Sequence, residues 1–270
     1  MDAPVARVAW EPITPRGVAA FAHARLGRLL LVQFLVALVV GSGIAWLLHD
    51  GFFPAVASAI EQLPAQGEIR AGRLEWRGTS PQRLADGSFL SIAVDLEHSG
   101  TVRSLAHFQF EFGRTNLLTH SLLGYSSINY PDGWVIAFNR PELLPRWGAW
   151  RPVFLAAAIL ATVMYLMLSW SVLATLYFAP VWLLGFFANR DLTLEGSWRF
   201  CSAALMPGAL AMLVAIFFYG IGTLDLVHMG FALAVHVVIG WIYLIVSIFY
   251  VPLIQEANVP RNPFNRQQKK

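Results

Sequence analysis

One aspartate and two histidines near the C-terminal end of the chain are the residues best suited to acid–base chemistry or metal binding. Asp225 and His228 are three residues apart, and His236 follows eight residues later. On one continuous helix the two histidines would lie ~12 Å apart along the axis, too far apart to bind the same ion. An ionisable residue within an apolar segment is a functional hypothesis by default, so His236, His228 and Asp225 are the candidate functional residues. A neutral histidine bonded to a neighbouring helix is the alternative interpretation of His236.

Other signatures of catalysis or cofactor binding are absent from the sequence. His98, His107 and His120 lack the spacing of metal ligands, and we expect them at the surface or at strand edges. The chain has no phosphate-binding glycine loop, no HExxH helix and no GxSxG elbow. Its single cysteine, Cys201, excludes an intrachain disulfide. The sequence therefore predicts no catalytic residue, no metal site and no cofactor.

The composition is typical of a membrane protein. Of 270 residues, 57% are hydrophobic and 13% are charged, whereas soluble domains carry roughly 25% charged residues. Such a chain must turn much of its apolar surface towards lipid. The net charge of +3 is modest. Because the basic residues form no stripe with interleaved aromatics, we expect no nucleic-acid partner.

The first apolar run covers residues 29–48. As a helix it extends ~30 Å, which matches the hydrocarbon core of a bilayer. A cleavable signal peptide is the competing interpretation, because Ala57-Ser58-Ala59 resembles a cleavage site. The run is longer than the usual apolar region of a signal peptide, so we favour a transmembrane helix.

Three further runs predict three further spans. Residues 153–187 carry no charge, and one straight helix would reach ~52 Å. We favour a span from about Val153 to Leu176 with a kinked continuation at Pro180, and a hairpin of two short spans is the alternative. The runs 200–221 and 228–254 each contain a proline, which we interpret as a helix kink.

The basic residues predict the orientation of these spans. Arginines or lysines occur in the N-terminal segment, in the loop 188–199 and in the C-terminal tail, but not in the loop 222–227. The positive-inside rule therefore places both termini in the cytoplasm and residues 49–152 outside it. We predict a multi-pass protein of the bacterial inner membrane.

The segment between the first two spans predicts a small α+β domain. We expect residues 52–63 to continue the first span outwards as a helix. Residues 90–96 and 108–112 alternate between apolar and polar side chains, which is typical of strands with one buried face. We expect residues 130–134 to form a hairpin turn and residues 115–123 to form a short helix. The prediction is an extracytoplasmic α+β domain with an antiparallel sheet, inserted in an α-helical polytopic membrane protein of about four transmembrane helices.

The two ends of the chain complete the predicted organisation. Thr14-Pro15 is a favourable helix start, and Val18, Phe21 and Leu26 are predicted to form an apolar face on the cytoplasmic leaflet. The predicted segments are the N-terminal amphipathic segment 1–28, span 29–48, extracytoplasmic domain 49–152, span 153–187, cytoplasmic loop 188–199, spans 200–221 and 228–254, and a disordered tail 255–270.

The layout and three short strings resemble a bacterial membrane-protein family of unknown function, some of whose members are labelled maltodextrin-utilisation proteins. The strings are Leu63-Pro64 with Gly67–Leu74, Ala93–Leu96 with Ser99-Gly100, and Glu195–Phe200 with Pro207 downstream. The last string is also similar to the Yip1-type membrane family. The resemblance implies the topology and the bacterial envelope, and it implies no catalytic residue.

Three functions from different classes are compatible with the sequence. We favour a non-enzymatic membrane protein whose extracytoplasmic domain binds a protein partner or an envelope component, with the lipid bilayer and a second copy of the chain as further partners. The alternative is an accessory subunit of a transporter or channel, with Ser169, Ser171, Thr175 and His236 along a path between helices. A membrane-embedded enzyme that uses Asp225, His228 and His236 ranks third.

Overall fold

A computed structural model describes residues 10–122 and 124–254 of the chain. The described residues belong to two compact units. Unit 1 contains the described residues of Met1–Val40, Thr162–Val214 and Phe231–Lys270, and unit 2 contains those of Gly41–Ala161 and Ala215–Gly230. The predicted disordered tail, residues 255–270, lies outside the described residues.

Seven α-helices lie in the described part of the chain: α1 (Pro15–Ala20), α2 (Leu26–Leu47), α3 (Phe53–Glu61), α4 (Arg140–Phe187), α5 (Leu194–Ala204), α6 (Met206–Gly220) and α7 (Leu226–Ile248). A 3₁₀ turn (Phe21–His23) follows α1, and a π-helical turn (Leu48–Phe52) joins α2 to α3. Four stretches are long and apolar enough to cross a membrane: Leu26–Glu61, Arg140–Phe187, Leu194–Gly220 and Leu226–Ile248. This confirms the prediction of four long apolar helical segments.

The helix after the first apolar run also agrees with the sequence. The sequence predicts a helix over residues 52–63, immediately before Pro64. The observed helix α3 ends at Glu61, three residues before that proline. The π-helical turn before it contains His49, Asp50 and Gly51. The predicted outward continuation is therefore confirmed as a helical segment.

Helix α4 differs from the prediction at its start. It is one continuous helix of 48 residues from Arg140 to Phe187, which corresponds to ~72 Å. The helix therefore begins before the span predicted from Val153, and the hairpin of two short spans does not form. The helix starts early because Asn139 caps it: Glu142 N donates to Asn139 Oδ1 (3.1 Å), and Asn139 Nδ2 donates to Glu142 Oε1 (3.3 Å).

The prolines of the third and fourth runs lie at helix boundaries. The helix breaks at Leu205, and Pro207 occupies the first turn of α6, where its missing N–H is not needed. Helix α7 ends at Ile248, before the predicted end at Ile254. Pro252 lies beyond that end, and its carbonyl accepts a hydrogen bond from Asp191 N (2.8 Å).

The N-terminal segment begins its helix where the sequence predicts. Thr14 Oγ1 accepts a hydrogen bond from Gly17 N (3.0 Å) and caps α1. Val18 and Phe21 are fully buried, and the segment packs against α5, whereas Leu26 is exposed. The predicted apolar face on the leaflet is therefore wrong for Val18 and Phe21, because the protein itself covers them.

Small side chains and one buried amide hold the helices of unit 1 together. A Cβ on Gly208 of α6 would lie 2.4 Å from the backbone oxygen of His236 on α7, so only glycine permits this helix–helix contact. Gln33, the polar interruption of the first run, is buried and donates to Ser202 Oγ (2.7 Å) and to Ser202 O (3.2 Å) on α5. Burial of this amide is tolerated because it is hydrogen-bonded.

Eight strands form two sheets in unit 2. The strands are β1 (Gly67–Arg70), β2 (Arg73–Trp76), β3 (Gln82–Asp86), β4 (Leu90–Val94), β5 (Phe108–Phe112), β6 (Asn116–Ser121), β7 (Gly124–Asn129) and β8 (Val135–Ala137). The three-stranded sheet has the order β2-β1-β8, and the five-stranded sheet has the order β3-β4-β5-β6-β7. The predicted antiparallel sheet is corrected in one respect, because β4 and β5 are parallel.

A parallel pair needs a connection that crosses over one face of the sheet. Here residues 95–107, which we call the crossover loop, join the end of β4 to the start of β5. One face of the five-stranded sheet packs on the hydrophobic core, which includes Leu90, Ile92 and Val94. Ser91 and Ala93 on the opposite face are also buried, so the predicted exposed face of this strand is wrong.

Two local predictions in unit 2 differ from the structure. Residues 116–121 form strand β6 instead of the helix predicted over 115–123, because Phe108–Phe112 of β5 provides a pairing edge. Residue 123 lies outside the described residues. The turn at 130–134 forms, but it joins β7 to β8 in the other sheet and so makes no hairpin. Tyr130 in this turn is buried and donates its hydroxyl to Gly113 O (3.1 Å), and burial raises the pKa of that phenol.

The contact between α6 and α7 generates a stability prediction. Gly208→Ala should lower the free energy of unfolding of the full-length protein by about 1–3 kcal/mol, because the new methyl group overlaps the His236 carbonyl. Gly230→Ala is the matched control on α7, since a Cβ at that position meets no atom within 4 Å. Because alanine has a higher helix propensity than glycine, this variant should raise the free energy of unfolding by up to ~1 kcal/mol. Thermal unfolding in one detergent measures both variants. Equal midpoints for the two variants would contradict the close contact.

Candidate functional site

Asp225 and His228 lie together at the start of helix α7. Asp225 Oδ1 accepts a hydrogen bond from His228 N (2.8 Å) and contacts His228 Nδ1 at 2.8 Å. This is the geometry of a helix N-cap. The backbone hydrogen bond from His228, and then the bond from its side chain, hold the pKa of the Asp225 carboxyl below its usual value. The three-residue spacing of Asp225 and His228 is therefore explained by a helix N-cap.

His236 is not part of that pair. It lies within α7, and its Nδ1 contacts the carbonyl of Leu233 on the same helix. This contact lies within the same helix, whereas the alternative interpretation of the sequence has His236 bonded to a neighbouring helix. Of the three residues singled out in the sequence, only Asp225 and His228 come together.

Asp225 also lines a cleft in unit 2 that brings together residues far apart in the sequence. The cleft has a volume of about 410 Å³, and its other polar walls include His107, Gln109 and His120. Apolar side chains at its rim include Leu105, which is fully exposed. We expected His107 and His120 at scattered surface or strand-edge positions, and the fold instead places them in one cleft.

His107 is held in place by an aromatic cluster. Its Nδ1 lies 2.6 Å from the hydroxyl of Tyr219, and the two rings stack with centroids 5.3 Å apart. Phe89 packs edge-on against both rings. These contacts fix the orientation of the imidazole in the cleft wall.

A buried carboxylate lies next to the cleft. Glu111 on β5 is 2% exposed, and its Oε1 is 2.6 Å from Nδ1 of His98 in the crossover loop. Its Oε2 is 3.7 Å from Nε2 of His120 on β6, and that nitrogen is buried with no hydrogen-bond partner among the described residues. Three titratable groups from three segments therefore meet on the polar face of the sheet.

The second nitrogen of His98 is also engaged. Its Nε2 lies 2.9 Å from Asn116 Oδ1, and the Asn116 amide donates to Ser127 Oγ (2.8 Å), which turns the amide oxygen towards the imidazole. Burial lowers the pKa of His98, but the hydrogen bonds to Asn116 and Glu111 and the charges of Glu111 and Asp95 raise it above its usual value overall. A charged imidazolium is therefore the form that this site favours.

Space for the His98 ring comes from Gly113. A Cβ at this position would lie 2.2 Å from His98 Nε2, so a larger residue would displace the ring. His98 itself has a φ of 51°, a left-handed conformation that turns its side chain back over the sheet. The separations of residues 98, 111 and 120 follow no ligand motif, so no signal in the sequence pointed to this cluster.

The described residues contain no group of three His, Cys, Asp or Glu side chains that could hold a metal ion. The arrangement pairs a buried carboxylate with two imidazoles, and its surroundings favour the protonated form of one of them, His98. Comparison of the chain with protein-family models, with curated proteins and with solved structures finds no match.

The cap at Asp225 generates a prediction about local structure. Asp225→Ala should lower the thermal midpoint of the full-length protein, because the first turn of α7 loses the acceptor for His228 N. Asp225→Asn should retain most of the midpoint, since asparagine is an equally good N-cap. If both substitutions lower the midpoint equally, the charge of Asp225 has a role that capping does not explain.

Proposed function

We propose that this chain is a bacterial inner-membrane protein with four transmembrane helices, and that its β-strand domain outside the cytoplasm binds a protein partner along strand β7. The observation that carries the binding proposal is that β7 is an exposed edge strand. β7 is the last strand of the five-stranded sheet, and all six of its residues are exposed. The domain is proposed to act by binding and without catalysis.

The membrane setting is supported by the four apolar helices and by charge. The most apolar window of each helix has a mean hydropathy between 2.1 and 2.3. With both termini and the loop 188–199 in the cytoplasm, the positive-inside rule leaves the strands on the outer side. The resemblance to the bacterial family of unknown function remains a proposal about layout, and the Yip1-type similarity remains one about the C-terminal helices.

An unpaired sheet edge is a template for a further strand, and proteins usually protect such edges. At the other edge of the sheet, β3 carries Arg83 and Asp86, has a register shift between Arg83 and Ala85, and contacts helix α3. In the part of the chain that the structure describes, β7 has none of these protections, since it contains no charge, no proline and no bulge. The contrast between the two edges of one sheet favours β7 as a binding edge.

The side chains of β7 also favour an extended partner. Tyr125 and Ile128 are 76% and 57% exposed. Because they are an odd number of residues apart, they lie on opposite faces of the strand. An added strand with apolar residues on both faces would cover both side chains and pair with the free backbone groups.

No specific observation favours the transporter alternative. The hydroxyls of Ser169, Ser171 and Thr175 donate to carbonyls of their own helix, at Leu166, Met167 and Ser171. Such hydroxyls are already satisfied and do not need a water-filled path. The third hypothesis, a membrane-embedded enzyme, loses its main argument because Asp225 and His228 form a helix cap.

The proposed orientation predicts which positions a membrane-impermeant maleimide reaches. The native Cys201 is buried, so an introduced cysteine dominates the labelling. In spheroplasts, Ser126→Cys should label at once, whereas Glu195→Cys should label only after the membrane is permeabilised. The reverse pattern would place the β-strands in the cytoplasm and overturn the proposed topology.

The proposed binding edge predicts position-specific cross-linking in intact cells. A photo-reactive residue at position 127 on β7 should give discrete adducts. The double substitution Tyr125→Lys and Ile128→Lys should reduce their yield roughly tenfold, as a loss of about 1.4 kcal/mol in binding would do. The matched control is position 75 on β2, an exposed edge that carries Arg73 and Glu75.

The adducts identify the kind of partner. A product of twice the monomer mass would identify a second copy of the chain, and a different mass would identify another protein. Identical adducts from positions 75 and 127, or a yield that the lysines leave unchanged, would refute β7 as the binding edge.

A further inference from the structure

We propose that the first half of the crossover loop, residues 95–100, is a proton-sensitive latch, held on the polar face of the five-stranded sheet by the imidazolium of His98 and released when His98 loses its proton. We call these residues the His98 turn. The proposal concerns the stability of this turn and does not depend on strand β7 having a partner.

The donor and acceptor pattern around His98 calls for two protons on its ring. Nδ1 faces a carboxylate oxygen of Glu111, and Nε2 faces the amide oxygen of Asn116. Both of these oxygens are acceptors, so each ring nitrogen must donate. Only the imidazolium carries two N–H groups, and a neutral imidazole satisfies one of the two contacts at a time.

Neutralising His98 therefore affects a buried group. Glu111 is almost fully buried, and its closest cationic partner in the described residues is His98 at 2.6 Å. A buried carboxylate whose partner loses its charge is destabilised by the missing interaction. Opening the His98 turn admits water to Glu111 and relieves that cost.

Other charged and titratable groups lie around the His98 turn. Asp95 accepts from Ser99 Oγ (2.7 Å) and Gly100 N (3.2 Å), and Glu97 pairs with Arg114. His120 faces Glu111 from β6, and its ring lies 6.2 Å from that of Tyr125 on β7. From the cleft side the neighbours are His107 and Asp225. Of the groups in contact with Glu111, His98 lies closest, and it is the one whose pKa its surroundings raise.

The second half of the loop is held differently. Ser104 N donates to Gln109 Oε1 (2.9 Å), and Gln109 Nε2 donates to Val102 O (3.2 Å). Ser104 Oγ donates to Asp86 Oδ1 (2.5 Å). An amide does not titrate, and no histidine takes part in these three hydrogen bonds. The proton-sensitive part of the loop is therefore confined to the His98 turn, and the second half serves as an internal reference.

The direction of the pH effect follows from the raised pKa of His98. A group whose pKa is higher in the folded than in the unfolded state stabilises the fold fully below the unfolded value, about 6.5 for histidine. That stabilisation is lost as the pH rises through the raised value. The His98 turn is therefore held on the sheet in mildly acidic solution. It opens towards mildly alkaline solution, where Asp95 and Glu111 become accessible.

Hydrogen exchange of the full-length protein in lipid nanodiscs, read by mass spectrometry and corrected for the intrinsic pH dependence of exchange, tests the proposal. Between pH 5.5 and pH 8.0, protection of the amides in residues 95–100 should fall on the order of tenfold, the size expected for one hydrogen bond to a charged group. Protection of the Ser104 amide should stay constant. An unchanged protection of residues 95–100 would overturn the proposal.

Two substitutions separate the latch from a general effect of pH. Glu111→Gln keeps the shape but removes the charge, so the pH dependence of residues 95–100 should vanish. Gly113→Ala should displace the His98 ring and leave the turn poorly protected at both pH values. His228→Gln, which alters an exposed histidine outside the cluster, should behave as the wild type. A pH dependence that survives in Glu111→Gln and in Gly113→Ala would refute the latch.

Discussion

The parallel pairing of β4 and β5 is the constraint on which the rest of unit 2 depends. Parallel neighbours cannot be joined by a tight turn, so the chain has to cross one face of the sheet. That face carries Ser91, Gln109 and Glu111, and all three are buried. Burial of polar groups is stable only where each finds a partner. The crossover loop supplies partners for Gln109, through backbone groups at Val102 and Ser104, and for Glu111, through His98. Ser91 donates instead to the Ala85 carbonyl on β3.

The requirement that buried polar groups have hydrogen-bond partners also explains how the apolar helices tolerate polar side chains. Gln33 is buried but bonded to Ser202, and the hydroxyls of Ser171 and Thr175 bond to carbonyls of their own helix. Where helices have to approach closely, as α6 and α7 do at Gly208, the side chain is reduced to hydrogen. In a bilayer, where lipid tails are as apolar as leucine, close packing and satisfied polar groups hold helices together.

Strand β7 and the His98 turn are linked by one short chain of side chains. Ser127 of β7 accepts from Asn116 of β6, and Asn116 in turn faces His98 in the loop. The edge strand proposed to bind a partner is thus connected by hydrogen bonds to the group proposed to respond to protons. Each proposal rests on its own observation, since one concerns an uncovered edge and the other a buried ion pair.

The sequence by itself determined the features that depend on local pattern. Periodicity and capping act over a few residues, so the sequence alone predicts elements that depend on them. These are the four apolar segments, the helix start at Thr14, the helix that ends before Pro64 and the strand at Phe108–Phe112. The early start of α4 was also readable, because Asn139 and Glu142 have the spacing of a capping box. The charge-free run that begins at Val153 is the stronger signal, and it predicts a later start.

Only the tertiary structure decided which strands pair and which side chains meet. Residues 116–121 form a strand because β5 offers them an edge, and pairing between distant segments leaves no local pattern. His98, Glu111 and His120 come together because a loop crosses the sheet, whereas Asp225 and His228, close in sequence, form only a cap. Spacing along the chain reports contacts within one helix or strand, and the candidate site of this protein is built from contacts between them.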